Sequence, residues 1–173
     1  MVIDYEKWHD GVGYDLDALR QVASSDLEEI EEILIHRNPL DWRDIEALAT
    51  LNTPGAKKVL RAAFSDRDPI VRLAVSRYAL EKVSDEEHTS SIVQALRTTD
   101  IFWGLSQALD EVEEFHPTEV IDELFRGVLK HDGEVATLFV AMLFFLYGKA
   151  DSPFDMEQRP LLPVFQYRID WGT

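Results

Sequence analysis

Apolar positions recur at helical spacing along most of the chain, and the clearest run lies between Asp68 and Thr99. Asp68 stands where an N-cap belongs. Pro69 follows at the first helical position, where a missing N–H costs nothing. Val71, Ala74, Val75, Tyr78 and Ala79 then make one apolar stripe. Ser84 and Glu87 have the spacing of a capping box and open a second helix, with Ile92, Val93 and Leu96 inward. Two short amphipathic helices on a tight joint cannot bury their apolar faces alone. They need similar pairs beside them.

The same reading extends in both directions. A helix is predicted from Asp15 to about Val22. Another is opened by a Ser25–Glu28 capping box, buries Leu27, Ile30, Ile33 and Leu34, and ends near Arg37 before Asn38-Pro39. Asp41 to Leu51 follows, with Ile45, Leu48 and Ala49 inward. Thr53-Pro54 caps a helix to about Phe64, with Val59, Leu60 and Ala63 inward. Asp100 opens a longer helix to Phe115 that buries Leu105, Ala108, Leu109 and Val112. A helix from His116-Pro117 to about His131 turns Val120, Ile121, Leu124, Phe125 and Val128 inward. Glu134 to Tyr147 is apolar on nearly all sides, so it must be covered all round, and Gly148 suits its C-terminal cap. The last 25 residues hold three prolines and four aromatics and read as an ordered, mostly non-helical tail. The expectation is about nine helices in one domain: cap helices over 1–37, repeated helix pairs over 38–147, and a packed aromatic tail over 148–173.

Aspartates 68, 100 and 132 stand 32 residues apart, each between one predicted helix and the next. The run Asp66-Arg67-Asp68-Pro69-Ile70-Val71-Arg72-Leu73-Ala74-Val75 resembles the first-helix signature of HEAT-like repeats. Asp100-Ile101-Phe102-Trp103 and Asp132-Gly133-Glu134-Val135 keep the Asp and the apolar residue but lack the Pro and Arg. At repeat level the resemblance covers about residues 40 to 150. It implies an all-α, right-handed HEAT-like α-solenoid. The flanks, GVGYDLDAL and PFDMEQRP, resemble those of small bacterial HEAT-like proteins, some of them immunity partners of secreted toxins.

Charge narrows the function. The net charge is −16 and cysteine is absent. Nucleic-acid binding needs clustered Lys and Arg, so it is not expected. The start MVIDYEKWHD has no signal-peptide pattern. The longest apolar run, Val135 to Tyr147, is shorter than the roughly 20 residues of a membrane helix. A cytoplasmic protein without membrane contact, monomeric when free, is expected. The acids cluster in two blocks, residues 1–37 and 100–132. Glu28, Glu29, Glu31 and Glu32 crowd the first. In the second, Asp110, Glu113 and Glu114 end a helix, where acids are disfavoured by the helix dipole and by mutual repulsion. A basic protein partner would explain that cost.

Catalytic patterns are sparse. Asp85–His88 and Glu113–His116 have carboxylate–histidine spacing, but both read as surface or cap positions, so no metal is expected. Gly104-Leu105-Ser106-Gln107-Ala108 lacks the final Gly and the preceding strand of a nucleophile elbow. No cofactor motif occurs. The expected function is non-enzymatic: an immunity protein that occludes a basic toxin through Asp110, Glu111, Glu114, Asp122 and Glu123, with Trp42 and Trp103 as candidate anchors. A general scaffold is the alternative. A HEAT-fold lyase or DNA-base glycosylase comes third, disfavoured by charge.

Overall fold

The computed structural model describes residues 13–79, 83–98 and 104–153. Among the described residues there are nine α-helices and no extended strand. The chain divides into two compact units, residues 1–83 and 84–173.

The N-terminal unit holds α1 (Leu16–Gln21), α2 (Ser24–Ile35), α3 (Trp42–Leu51), α4 (Pro54–Ala63) and α5 (Pro69–Tyr78). Within it α1 packs on α3 and α3 on α5, while α2 packs on α4. Ile45 and Leu48 of α3 are fully buried among Leu34, Leu60, Val71 and Val75. Each such side chain contributes roughly 1.5–3 kcal/mol by leaving water.

The residues of the Asp66–Val75 run each have a local task. The Asp66 carboxylate accepts from the Asp68 N–H at 2.8 Å, and the Asp68 carboxylate accepts from the Ile70 N–H at 2.8 Å. Arg72 donates back to the carbonyls of Asp66 at 2.6 Å and Arg67 at 3.1 Å. The loop and the first turn are thereby tied together, while Val71 and Ala74 face the core.

Two expectations in this unit are corrected. The Ser25–Glu28 box does not form: α2 starts two residues earlier, at Ser24 with Ala23 as its N-cap, and the Ser25 hydroxyl donates to Asp26 instead. Ile33 points outward, because the inward stripe runs through Leu27, Ile30 and Leu34, and Ile33 falls off that register.

The C-terminal unit holds α6 (Asp85–Thr98), α7 (Leu105–Glu114), α8 (Thr118–Lys130) and α9 (Gly133–Leu146). Here α6 packs on α7 and α8, and α9 packs on α8 and α7. The Ser84–Glu87 capping box is present: the Ser84 N–H donates to the Glu87 carboxylate at 3.0 Å, and the Glu87 N–H donates to the Ser84 hydroxyl at 3.3 Å. The Ser84 backbone and side-chain bonds hold the Glu87 carboxyl below its ordinary range. Gly148, at φ +64°, closes α9: its N–H bonds to the Phe145 carbonyl and the Lys149 N–H to the Phe144 carbonyl. Leu105, Ala108, Leu109 and Val112 are buried as expected.

The helix expected from Asp100 begins only at Leu105, after Gly104 in a left-handed conformation. Asp100 itself, Trp103 and residues 154–173 of the expected tail lie outside the described residues. Phe125, expected inward, is 47% exposed. The buried register of α8 is Val120, Glu123, Leu124 and Gly127, which leaves Phe125 on the opposite side.

Candidate functional site

The α7–α8 joint carries the exposed acids. Asp110, Glu113 and Glu114 are exposed in the last two turns of α7, and no basic residue occupies its last turn. Glu119 and Asp122 are exposed in the first turns of α8. Glu119 sits at a helix N-terminus, where a negative charge is favoured. The three acids of α7 sit at a C-terminus, where it is not.

Glu111 and Glu123 do not belong to that surface. Glu111 is only 3% exposed. Its carboxylate lies 2.7 Å from Nε2 of His88, which is also buried and stacks on Phe115 at 4.5 Å. The histidine expected at the surface thus ties α6 to α7, with Glu111 rather than Asp85 as its carboxylate.

Glu123 is 7% exposed. Its Oε2 accepts from Arg97 of α6 at 2.8 Å and from Arg126 of α8 at 3.0 Å. The Arg97 hydrogen bond, against the opposing effect of burial and helped by Arg126, holds the Glu123 carboxyl below its ordinary range. A depressed carboxylate stabilises the fold above its unfolded-state pKa of about 4.3, and the contribution is lost as pH falls through the lower folded value. Glu123→Gln is therefore expected to lower the urea midpoint at pH 7, with the deficit shrinking as pH drops below about 4. An equal deficit at pH 7 and pH 3 would contradict that sign.

Of the two anchor candidates, only Trp42 falls among the described residues. Trp42 is half-buried and packs against the core of the N-terminal unit, with the Arg43 guanidinium 4.6 Å above its ring. Part of the ring therefore serves packing within this unit. His116 is exposed and donates through Nδ1 to the Val112 carbonyl at 2.9 Å, capping α7. Among the described residues no three His, Asp or Glu side chains form a group that could hold a metal ion. None of the described helices is long and apolar enough to cross a membrane.

Three other residues expose large apolar side chains in this unit. Phe125 and Leu129, one turn apart on α8, are 47% and 74% exposed. Tyr147, after the end of α9, is 59% exposed, and its ring lies 6.3 Å from that of Phe125. On α8 the exposed side therefore runs from acids at Glu119 and Asp122 to apolar groups at Phe125 and Leu129.

Comparison with known proteins finds no matching family model, no matching curated protein and no matching solved structure.

The N-terminal unit holds a buried polar group that sequence patterning did not single out. The Tyr14 hydroxyl donates to Asp44 at 2.8 Å, the Asp41 N–H donates to the same carboxylate at 2.8 Å, and Arg37 lies 3.4 Å from it. Burial, then Asp44, push the Tyr14 hydroxyl up to about 12. Asp41 and Asp44 form a capping box, legible as an acid three residues beyond an N-cap. Glu31, one of the crowded acids of α2, accepts from the Thr53 hydroxyl and from the Ala56 N–H at 3.2 Å, capping α4 from outside.

Proposed function

We propose that this chain is a non-enzymatic protein-binding module that presents the α7–α8 joint and the outer side of α8 to a basic partner. The observation that carries the reading is the pairing, on one helix side, of exposed acids with exposed Phe125 and Leu129. Large apolar side chains left in water mark interaction sites. Each such side chain can return roughly 1.5–3 kcal/mol when a partner covers it. The acids speed encounter with a basic surface, and the apolar groups set the lifetime of the complex.

The partner class that fits is a toxin whose basic surface holds a phosphate-bearing substrate, which this module would occlude. The immunity role comes from the resemblance to small bacterial HEAT-like proteins. The solenoid reading draws support from the packing of alternate helices on one another within each unit and from the Asp68-Pro69 start of α5.

The test is capture from the native host at low and high salt, with the wild type beside the triple variant Asp110→Asn, Glu114→Gln, Asp122→Asn. One dominant basic protein should be held at low salt, released at high salt, and bound at least tenfold more slowly by the variant, a magnitude of the order electrostatic steering supplies. Equal capture by both proteins, insensitive to salt, would sink the electrostatic mechanism and favour a general scaffold.

A further inference from the structure

Arg97 and Arg126 reach the same atom from different helices. Each gives one N–H to Oε2 of Glu123, at 2.8 and 3.0 Å, and the two side chains remain 50% and 61% exposed. A guanidinium carries five N–H donors. Glu123 accepts from both arginines, and at least half of each arginine side chain stays open to solvent. The buried carboxylate does two things. It holds two like charges side by side, and it cancels only one of them.

We propose that Arg97 and Arg126, braced on Glu123, form a receptor for a carboxylate carried on the surface of the partner. This rests on the protein-binding reading above. Each guanidinium presents its N–H groups in its own fixed plane, a fork that matches a carboxylate two by two. The chain's net charge of −16 repels free anions, and a multiply charged phosphate most of all. A single carboxylate set among Lys and Arg on a basic partner arrives with the favourable field of its neighbours. Along the outer side of α8 the charges run Glu119, Asp122, then Arg126, in steps of about one turn. The matching partner surface carries bases followed by an acid at that spacing. Such a sign change fixes the register of docking, which a uniformly acidic surface cannot do.

The receptor can be tested without the partner, so its failure is distinguishable from failure of the capture experiment. Sodium acetate is titrated into the 15N-labelled full chain against sodium chloride at equal ionic strength. The side-chain Nε–Hε signals of Arg97 and Arg126 should move together and saturate with acetate only. Glu123→Gln keeps an acceptor oxygen but frees the second charge. It should lower the half-saturating acetate concentration about fivefold, the size of one unit-charge interaction near 4 Å in water. Arg126→Gln, at an exposed position, should abolish saturation at Arg97, and this arm decides the matter if Glu123→Gln does not fold. Linear shifts identical in the two salts, or an unchanged half-saturation in folded Glu123→Gln, would overturn the proposal.

Discussion

Gly127→Ala is expected to destabilise the C-terminal unit by about 2 kcal/mol, although alanine is the better helix former. On propensity alone the change should gain about 1 kcal/mol. At this position, however, a Cβ would stand 2.2 and 2.3 Å from two ring atoms of Phe139. Phe139 is fully buried and meets the His131 ring edge-on at 5.9 Å, so it has little room to retreat. Overpacking of that kind costs about 1–3 kcal/mol and sometimes more, and contact this close belongs at the upper end. Urea unfolding of the single variant measures the loss. Adding Phe139→Leu should recover part of it, because the smaller side chain vacates the space. A Gly127→Ala protein as stable as the wild type would show that α8 and α9 do not approach as closely as described.

Asp44→Ala is expected to cost about 3 kcal/mol. The Asp44 side chain is fully buried and serves Tyr14, the Asp41 N–H and Arg37 together. Breaking a buried ion pair costs about 3–5 kcal/mol. Arg37 is half exposed and can rehydrate, which puts the value at the lower end. Tyr14 gives an independent readout. With its hydroxyl pushed up to about 12, the folded state holds that proton more tightly than the unfolded chain does near 10. The resulting stabilisation is full below pH 10 and is lost as pH rises through about 12. Asp44→Ala removes the hydrogen-bond and charge contributions while burial remains, so the Tyr14 titration should move down toward 10. An unmoved titration would mean that burial alone sets it.

The helices were legible because caps and periodicity are local. Asp15, Asp41, Thr53, Asp68 and Ser84 all open helices where their side chains can reach a free N–H. Direction along a helix was harder to read. Phe125 and Ile33 looked like core by hydrophobicity, and Glu111 and Glu123 looked like surface by charge. In each case the helical register decided otherwise. Glu123 is spaced with Val120, Leu124 and Gly127, and Glu111 with Ala108 and Val112. What the sequence could not supply was the partner that makes burial of a carboxylate tolerable. Arg97 is 26 residues from Glu123, and His88 is 23 from Glu111. Such pairs depend on which helices pack together, and local spacing does not encode that. The same holds for Tyr14 and Asp44, 30 residues apart. Of the five acids expected to meet a partner, Asp110, Glu114 and Asp122 are exposed.

The outer side of α8 as the docking surface can be tested by photo-crosslinking in the native host. A benzoylphenylalanine replaces Phe125 in one protein and the exposed Lys58 of α4 in another. Position 125 should give one dominant adduct with a basic protein, and the adduct should disappear when Asp110, Glu114 and Asp122 are neutralised in the same chain. Position 58 should give none. An adduct with that protein from position 58 and none from position 125 would place the binding surface elsewhere and contradict the role assigned to α8.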